Sequence, residues 1–246
     1  MNLHLFSLFF MVLPFFYIEQ FDTTSSLITL NEETSKHIVQ VLRMQAGEQI
    51  NLTDGKGNML TAEITIAHKK SCVVSIKAAN VKPQVLRKVS IAISLIKNNS
   101  RFEWFLEKAT EIGVTEIVPL ICERTECQHF RYDRMKGIIV SAMLQSQQTW
   151  LPVLQEPVKF ENLKMMQVEN ALKLIAHCEE TEKNAFSNFQ INKFSNCIIL
   201  IGPEGDFTED EIQLALSHQF AAVTLGETRL RTETAGVVAA ALLCIT

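Results

Sequence analysis

The chain has 246 residues, 47% of them apolar and 20% charged, with a formal net charge of −4. A chain of this length forms one large domain or two modest ones and can bury roughly 70–75% of its unfolded surface, which excludes a disordered or fibrous protein. Six cysteines without a CxxC pair exclude a disulfide-dense scaffold and point to reduced thiols.

The chain opens on "MNLHLFSLFFMVLPFFYI", eighteen residues without a charge. No Lys or Arg precedes the apolar run, no small-residue cleavage site follows it, and Pro14 interrupts it. The run also falls short of the roughly 20 residues of a comfortable membrane span. A cytoplasmic protein without a membrane segment is the expectation, with Met11 as an alternative start and residues 1–13 as an addition to the fold.

From 27 to about 80, short β-rich runs alternate with the turn signals Asp54-Gly55 and Gly57-Asn58 and with a break at His68–Ser71, interrupted by a brief helical pattern in "SKHIVQVLRM". This predicts a small antiparallel barrel or sandwich. After Pro83 the period changes. "VSIAISLI" (89–96) reads as a buried strand, and Ser100…Glu103 as a capping box opening a helix that ends at Gly113. Then follow the strand "VTEIVPL", a helix near 133–148, strands near 171–177 and 197–201, and a helix from Thr208 with a second capping box to Glu211. The strand "AAVTL" and a last helix from about 233 complete the pattern, and the polar segment 178–196 reads as a surface loop with partial helix. Alternating strands and helices with short links predict an α/β domain with a parallel sheet covered on both faces. The expected domains are 1–82 and 83–246.

The mean charge hides an asymmetry. No acid falls between Glu63 and Glu103, whereas Lys69, Lys70, Lys77, Lys82, Arg87, Lys88, Lys97 and Arg101 do. Eight unopposed cations fit either one polyanion or a solvated surface scattered over several faces. Cys122, Cys127 and His129 have a spacing that fits no zinc pattern well, so no metal is expected.

Two strand ends carry chemistry: "LIGPEGDF" and "LGETRLRTETAG". Neither matches GxGxxG or the P-loop, so dinucleotide and triphosphate readings fail on spacing. The stretch 199–212 also carries Glu204, Asp206, Glu209, Asp210 and Glu211 without a basic residue, which repels a phosphate. It is compatible with a nucleoside bearing a positive charge, such as the sulfonium of S-adenosylmethionine.

"IGPEGDFTEDEI" and "LGETRLRTETAG" together resemble the paired C-terminal motifs of the SPOUT methyltransferases, specifically the ribosomal RNA small subunit methyltransferase E family. "KHIVQVLRMQAGEQINLTDGKG" and "IKNNSRFEWFLEKATEIGVTEIVPLICERTE" are similar to that family's upstream motifs, in the same order, so the resemblance runs from about residue 15 to the end. It implies an N-terminal PUA-like β-barrel and a C-terminal SPOUT α/β domain tied in a trefoil knot. It also implies a homodimer, S-adenosyl-L-methionine as cofactor, and N3 methylation of a uridine in 16S rRNA of the small ribosomal subunit. One departure stands out: Leu144, Gln145, Ser146, Gln147 and Gln148 precede Pro152 where many members carry a Glu and an Arg. The apolar "AGVVAAALLCIT" fits a helix buried in the core or at a dimer contact.

On this resemblance the expected cofactor contacts are Leu200, Ile201, Gly202, Gly205, Leu225, Gly226, Leu230, Arg231, Thr232, Thr234 and Ala235. The glycines would permit close backbone approach, and the aliphatic residues would wall the adenine. Uridine N3 carries a proton that must leave, so Glu204 or Glu233 is expected as base and Arg231 as stabiliser of the uracil oxygens. Glu233 and Thr234 serve equally well as the cap of the last helix. Arg43, Lys69, Lys70, Lys88, Lys97, Arg101 and Arg124 are the expected phosphate contacts. A non-catalytic RNA-binding protein, a related enzyme with another RNA target and a nicotinamide-dependent enzyme are the rival readings; the last lacks its glycine fingerprint.

Overall fold

The computed structural model describes residues 13–21, 25–179 and 183–245. The chain forms two compact units that meet at Pro83 and Gln84.

The first unit is β1 (Phe15–Tyr17), β2 (Leu27–Thr29), α1 (Glu32–Lys36), β3 (Gln49–Thr53), β4 (Asn58–Ile66) and β5 (Val73–Val81). They form one sheet in the order β1-β3-β4-β5-β2, with β1 parallel to β3 and the remaining pairs antiparallel. Alternation along the strands sends Ile50, Leu52, Leu60, Ala62, Ile64 and Val74 into a common core. The β3–β4 turn is built by Asp54, whose carboxylate accepts from the Lys56 N–H at 2.9 Å and from Asn58 Nδ2 at 2.6 Å. The tail of the opening apolar run is part of this sheet: Phe16 and Ile18 are buried in its core. The expectation about the earlier part of that run lies outside the described residues. The helical pattern at 35–44 begins earlier than the spacing predicts, because Asn31 caps α1 by accepting from the Thr34 N–H, and it continues as a π-helical turn, His37–Val41.

The second unit contains β6 (Lys88–Ser94), α2 (Asn99–Ile112), β7 (Glu116–Ile121), α3 (Tyr132–Gln145), β8 (Val153–Leu154), β9 (Val158–Lys159), β10 (Leu172–Ala176), β11 (Asn184–Ala185), β12 (Asn196–Ile201), α4 (Glu209–Ser217), β13 (Ala221–Thr224) and α5 (Thr232–Cys244). The strands form one sheet in the order β11-β13-β10-β12-β6-β7-β8, with β9 also on β7. All of these pairings are parallel. Period-2 alternation divides β12 between two cores: Cys197, Ile199 and Ile201 face the side of α2, α3 and α5, whereas Ile198 and Leu200 face the side of α4. Burial on both faces is why these strands read as continuous apolar runs.

Helix α2 departs from its sequence reading at the start. Asn98, not Ser100, is the N-cap, its side chain accepting from the Ser100 N–H. Glu103 is therefore free of a capping role and pairs with Arg134 of α3. Gly113 ends the helix at φ 103°, as its position predicts. The capping box of α4 is formed in full, with Thr208 accepting from the Glu211 N–H and Glu211 from the Thr208 N–H. The segment 178–196 is not a plain surface loop. Phe186 and Ile191, each in a 3₁₀ turn, are buried in the same core as α2 and α5. In the departing segment, Gln148 Nε2 donates to the carbonyls of Thr110 at 2.7 Å and Glu111 at 3.2 Å, tying the end of α3 to the end of α2.

Candidate active site

Three strand ends of the second unit, those of β10, β12 and β13, open into a cavity of about 790 Å³. Ligands of parallel α/β sheets bind at this end of the strands. The cavity is also lined by the loop 224–231 and the first turn of α5. Its apolar surface comes from Ile201, Val223, Leu225, Leu230 and Ala235, and its charged surface from four acids (Glu204, Asp206, Glu227, Glu233) and four cations (Arg101, Lys183, Arg229, Arg231).

The acidic loop that follows β12 is less exposed to a ligand than its sequence suggests. Glu209 and Asp210 point to solvent in the first turn of α4, where they complement the helix dipole. Glu211 is buried, accepting from Thr208 and from the Glu123 N–H at 2.9 Å. Glu204 and Asp206 are the two that reach the cavity. Glu204 is held there by the Lys97 N–H at 3.1 Å. Asp206, at φ 65°, accepts from the Cys178 N–H at 2.7 Å and so fastens the end of β10 to the β12 loop. The site carries both charge signs rather than an acidic excess.

Glu233 and Arg101 meet at the cavity wall. Glu233 lies in the first turn of α5, its side chain 9% exposed, and Arg101 Nε of α2 stands 3.6 Å from its carboxylate. Two opposite charges and a helix N-terminus stabilise one another there. Thr232 is buried and its hydroxyl donates to the Gly202 carbonyl at 3.0 Å, joining the start of α5 to the end of β12. Arg231, exposed at the N-cap position of α5, makes no side-chain cap bond and lines the cavity.

Of the residues expected at the cofactor, Ile201, Gly202, Leu225, Gly226, Leu230, Arg231, Thr232 and Ala235 line this cavity, as do Glu204, Glu233 and Arg101. Three of the expected residues do not line it. Leu200 alternates onto the opposite face and is fully buried in the core beneath α4. Gly205 is exposed beside Arg124, whose chain a Cβ would meet at an ordinary 3.4 Å. Thr234 is half-buried in α5 and is not among the residues lining the cavity. Gly202 is also tightly packed: an added Cβ would stand 3.1 Å from the Phe207 ring and 3.2 Å from its backbone nitrogen, so Phe207 would have to give way by a few tenths of an ångström. The sequence reading assigned no site role to Asp206, Glu227 and Arg229, although they lie in the two quoted strand-end loops, and it did not single out His177 or Lys183. For His177 the available signal was the "IAHCEE" turn after β10, since it too follows a parallel strand.

The cations of the acid-free stretch are partly opposed after all. Lys77 pairs with Glu63 at 3.3 Å, Lys97 with Glu126 at 2.9 Å and Arg101 with Glu233. Arg124 Nη1 donates to the carbonyls of Gly205 at 2.8 Å and Phe207 at 3.2 Å, so it braces the β12 loop. Lys88 is exposed at the start of β6, the opposite end of that strand from the cavity. In the first unit Lys69, Lys70 and Arg43 are exposed, and Arg43 holds a left-handed backbone at φ 57°. Burial, reinforced by the Glu211 carboxylate, pushes the Cys122 thiol up to about 12, and among the described residues no His/Cys/Asp/Glu group is placed to hold a metal. Nor, among them, is any helix long and apolar enough to cross a membrane.

A small β unit followed by a parallel-sheet unit with its cavity at these strand ends is the plan of a two-domain RNA methyltransferase. Residues 82–244 match the RNA methyltransferase domain family, and residues 30–77 match the RNA methyltransferase PUA domain family. Among relatives, the ribosomal RNA small subunit methyltransferase E of a Synechocystis species is 30% identical over 87% of this chain and 71% of its own. Among solved structures, a probable rRNA-methyltransferase from Porphyromonas gingivalis is 38% identical with a TM-score of 0.86, covering 95% of this chain and 99% of its own. The ribosomal RNA small subunit methyltransferase E of Neisseria gonorrhoeae, bound to S-adenosyl methionine, is 29% identical with a TM-score of 0.82, over 94% and 96% of the two chains. This chain belongs to the ribosomal RNA small subunit methyltransferase E family.

Proposed function

We propose that this protein transfers a methyl group from S-adenosylmethionine to N3 of a uridine in 16S rRNA, within an assembled or partly assembled small ribosomal subunit in the cytoplasm. The observation that carries the reading is the cavity at the ends of β10, β12 and β13, with its apolar walls and balanced charges. A nucleoside with a zwitterionic, sulfonium-bearing tail needs apolar walls for its base and both charge signs for its tail. The lining supplies both, and its volume suits a ligand of that size.

Ile201, Leu225, Leu230 and Ala235 wall the adenosine, with the backbone at Gly202 and Gly226 in reach of it. When bound, the cofactor supplies a methyl group made electrophilic by the sulfonium. The chain's own part is to hold uracil against that methyl and to manage the N3 proton. Arg231, exposed on the cavity wall, stabilises the uracil oxygens as charge develops on them. Glu233 is engaged by Arg101 and the α5 N-terminus, which leaves Glu204 on the cavity wall to accept the proton. Arg101 keeps Glu233 in place and presents its remaining N–H groups to the substrate.

The exposed Arg43, Lys69, Lys70 and Lys88 supply phosphate contacts, whereas Arg124 and Lys97 act first on the β12 loop and on Glu126. The family reading carries with it the trefoil knot and a homodimer. The half-buried apolar face of α5, with Val238, Ala241 and Leu242, is a suitable seam.

Nucleoside mass spectrometry of 16S rRNA from a strain lacking the gene, with and without its restoration, tests the reaction. The expected result is loss of 3-methyluridine and its return on complementation. Persistence of 3-methyluridine in the deletion, with no second enzyme supplying it, would remove the assignment of atom and target.

A further inference from the structure

His177 follows β10 directly and lines the cavity, yet it is 7% exposed and, among the described residues, neither Nδ1 nor Nε2 has a hydrogen-bond partner. Buried side-chain nitrogens are satisfied in the large majority of folded proteins, so an orphaned ring at a ligand cavity asks for a partner. The backbone on both sides of the ring is pinned. Lys183 Nζ donates to the His177 carbonyl at 2.9 Å, and the Cys178 N–H donates to Asp206 at 2.7 Å. These two bonds fix the backbone from which the ring projects into the cavity wall.

The surroundings decide which part of a ligand it suits. Burial and the neighbouring Lys183 lower the imidazole pKa, against smaller opposing effects of Asp206 and Glu179, which favours the neutral ring. A neutral imidazole presents one donor and one acceptor. Ile201 and Val223, the strand partners of the preceding Ala176, also line the cavity and are 2% and 1% exposed. Of the charged lining groups, Glu204, Glu227, Arg229 and Arg231 are exposed, whereas Asp206 and Lys183 flank His177 and are engaged with the backbone of Cys178 and His177. With those two charges held by the backbone, the ring is the uncharged polar group beside the apolar strand ends, and it matches a nucleoside, whose base edge and ribose hydroxyls offer donors and acceptors without net charge.

We propose that the imidazole of His177 hydrogen-bonds the adenosine portion of the bound cofactor and is a determinant of nucleoside affinity. This rests on the S-adenosylmethionine reading above. Calorimetry with S-adenosylhomocysteine and with 5′-methylthioadenosine, which keeps the nucleoside and lacks the amino-acid tail, separates the possibilities. In His177→Phe both affinities fall by about tenfold or more, in step, whereas His177→Asn recovers most of the loss. The ligand-free melting temperature of His177→Phe does not fall, because among the described residues none bonds the ring. In the wild-type protein, addition of 5′-methylthioadenosine shifts the ring ¹⁵N resonances of His177 and fixes one tautomer. Loss confined to S-adenosylhomocysteine would move the contact to the tail and overturn the proposal, as would unchanged affinities in both variants. Failure of the wild-type protein to bind either compound would overturn the cofactor reading itself.

Discussion

Arg101 and Glu233 form an ion pair at the cavity wall, and the proposed reaction gives the same pair a place beside the substrate. The Glu233 side chain is 9% exposed while that of Arg101 is 43% exposed, so removing the arginine strands a buried carboxylate that the α5 N-terminus only partly compensates. Arg101→Ala should destabilise the protein by about 1–2 kcal/mol, below the loss for a fully buried pair because the guanidinium is half in water. Glu233→Gln in the same background should restore part of that stability, since no charge is then left unpaired. Urea unfolding of the two single variants and the double variant measures the coupling; additive losses would show that the pair contributes nothing of its own. Methyl transfer should fall in Arg101→Ala by more than stability accounts for, if its free N–H groups face the substrate.

Helices are where packing overrode local signals. In α5, Gly236 looks like a weakness in an apolar helix, yet an added Cβ there would lie 2.6 Å from the Phe105 ring and 2.8 Å from Ile93. The glycine lets α5 press on α2 and β6, directly behind the turn that holds Thr232 and Glu233. Gly236→Ala should therefore lower stability by about 1–3 kcal/mol through overpacking, although alanine is the better helix former. A higher melting temperature in that variant would mean that the helix can move aside. Between α2 and α3 the tie is electrostatic. The hydrogen bond from Arg134 holds the Glu103 carboxyl below its usual range. A lowered folded-state pKa means stability that is present above the unfolded value and lost as pH falls through the folded one. Glu103→Gln should flatten the acid side of the stability profile, by less than about 1 kcal/mol because Arg134 is largely in water. Thermal melts between pH 3 and 7 check the slope.

For the molecule as a whole, a net charge of −4 has to be reconciled with an RNA substrate. Part of the excess acid is spent inside the fold, on α4 capping by Glu211 and on pairs such as Arg101–Glu233, rather than on a uniformly negative surface. The exposed Lys69, Lys70 and Lys88 are the proposed phosphate contacts of the acid-free stretch, and binding to the small subunit should weaken steeply with salt. Replacing Lys69, Lys70 and Lys88 by Ala should reduce the slope of log K against log salt by about 0.7–0.9 per lost contact. Because Lys88 sits at the far end of β6 from the cavity, the double variant Lys69→Ala, Lys70→Ala is the informative comparison. If it matches the triple variant, Lys88 is ordinary surface charge.

Two kinds of information separate here. Elements with a local cause were legible in the chain: the parallel strands as unbroken apolar runs, the α4 capping box, the Gly113 stop, and the two strand-end loops whose residues line most of the cavity. Period and capping act over a few residues, so a sequence states them directly. What the chain alone could not state was which side of a strand end faces the ligand and which charges meet. Leu200 and Ile201 are neighbours in sequence, but β alternation placed one under α4 and the other in the cavity wall. Lys97 found Glu126, Arg101 found Glu233 and Asp206 found the backbone of Cys178, each across a separation that only the sheet order closes. His177 belongs to the same class. Its sequence context is an ordinary strand exit, and only the convergence of β10, β12 and β13 buries its ring beside the cavity with no partner among the described residues.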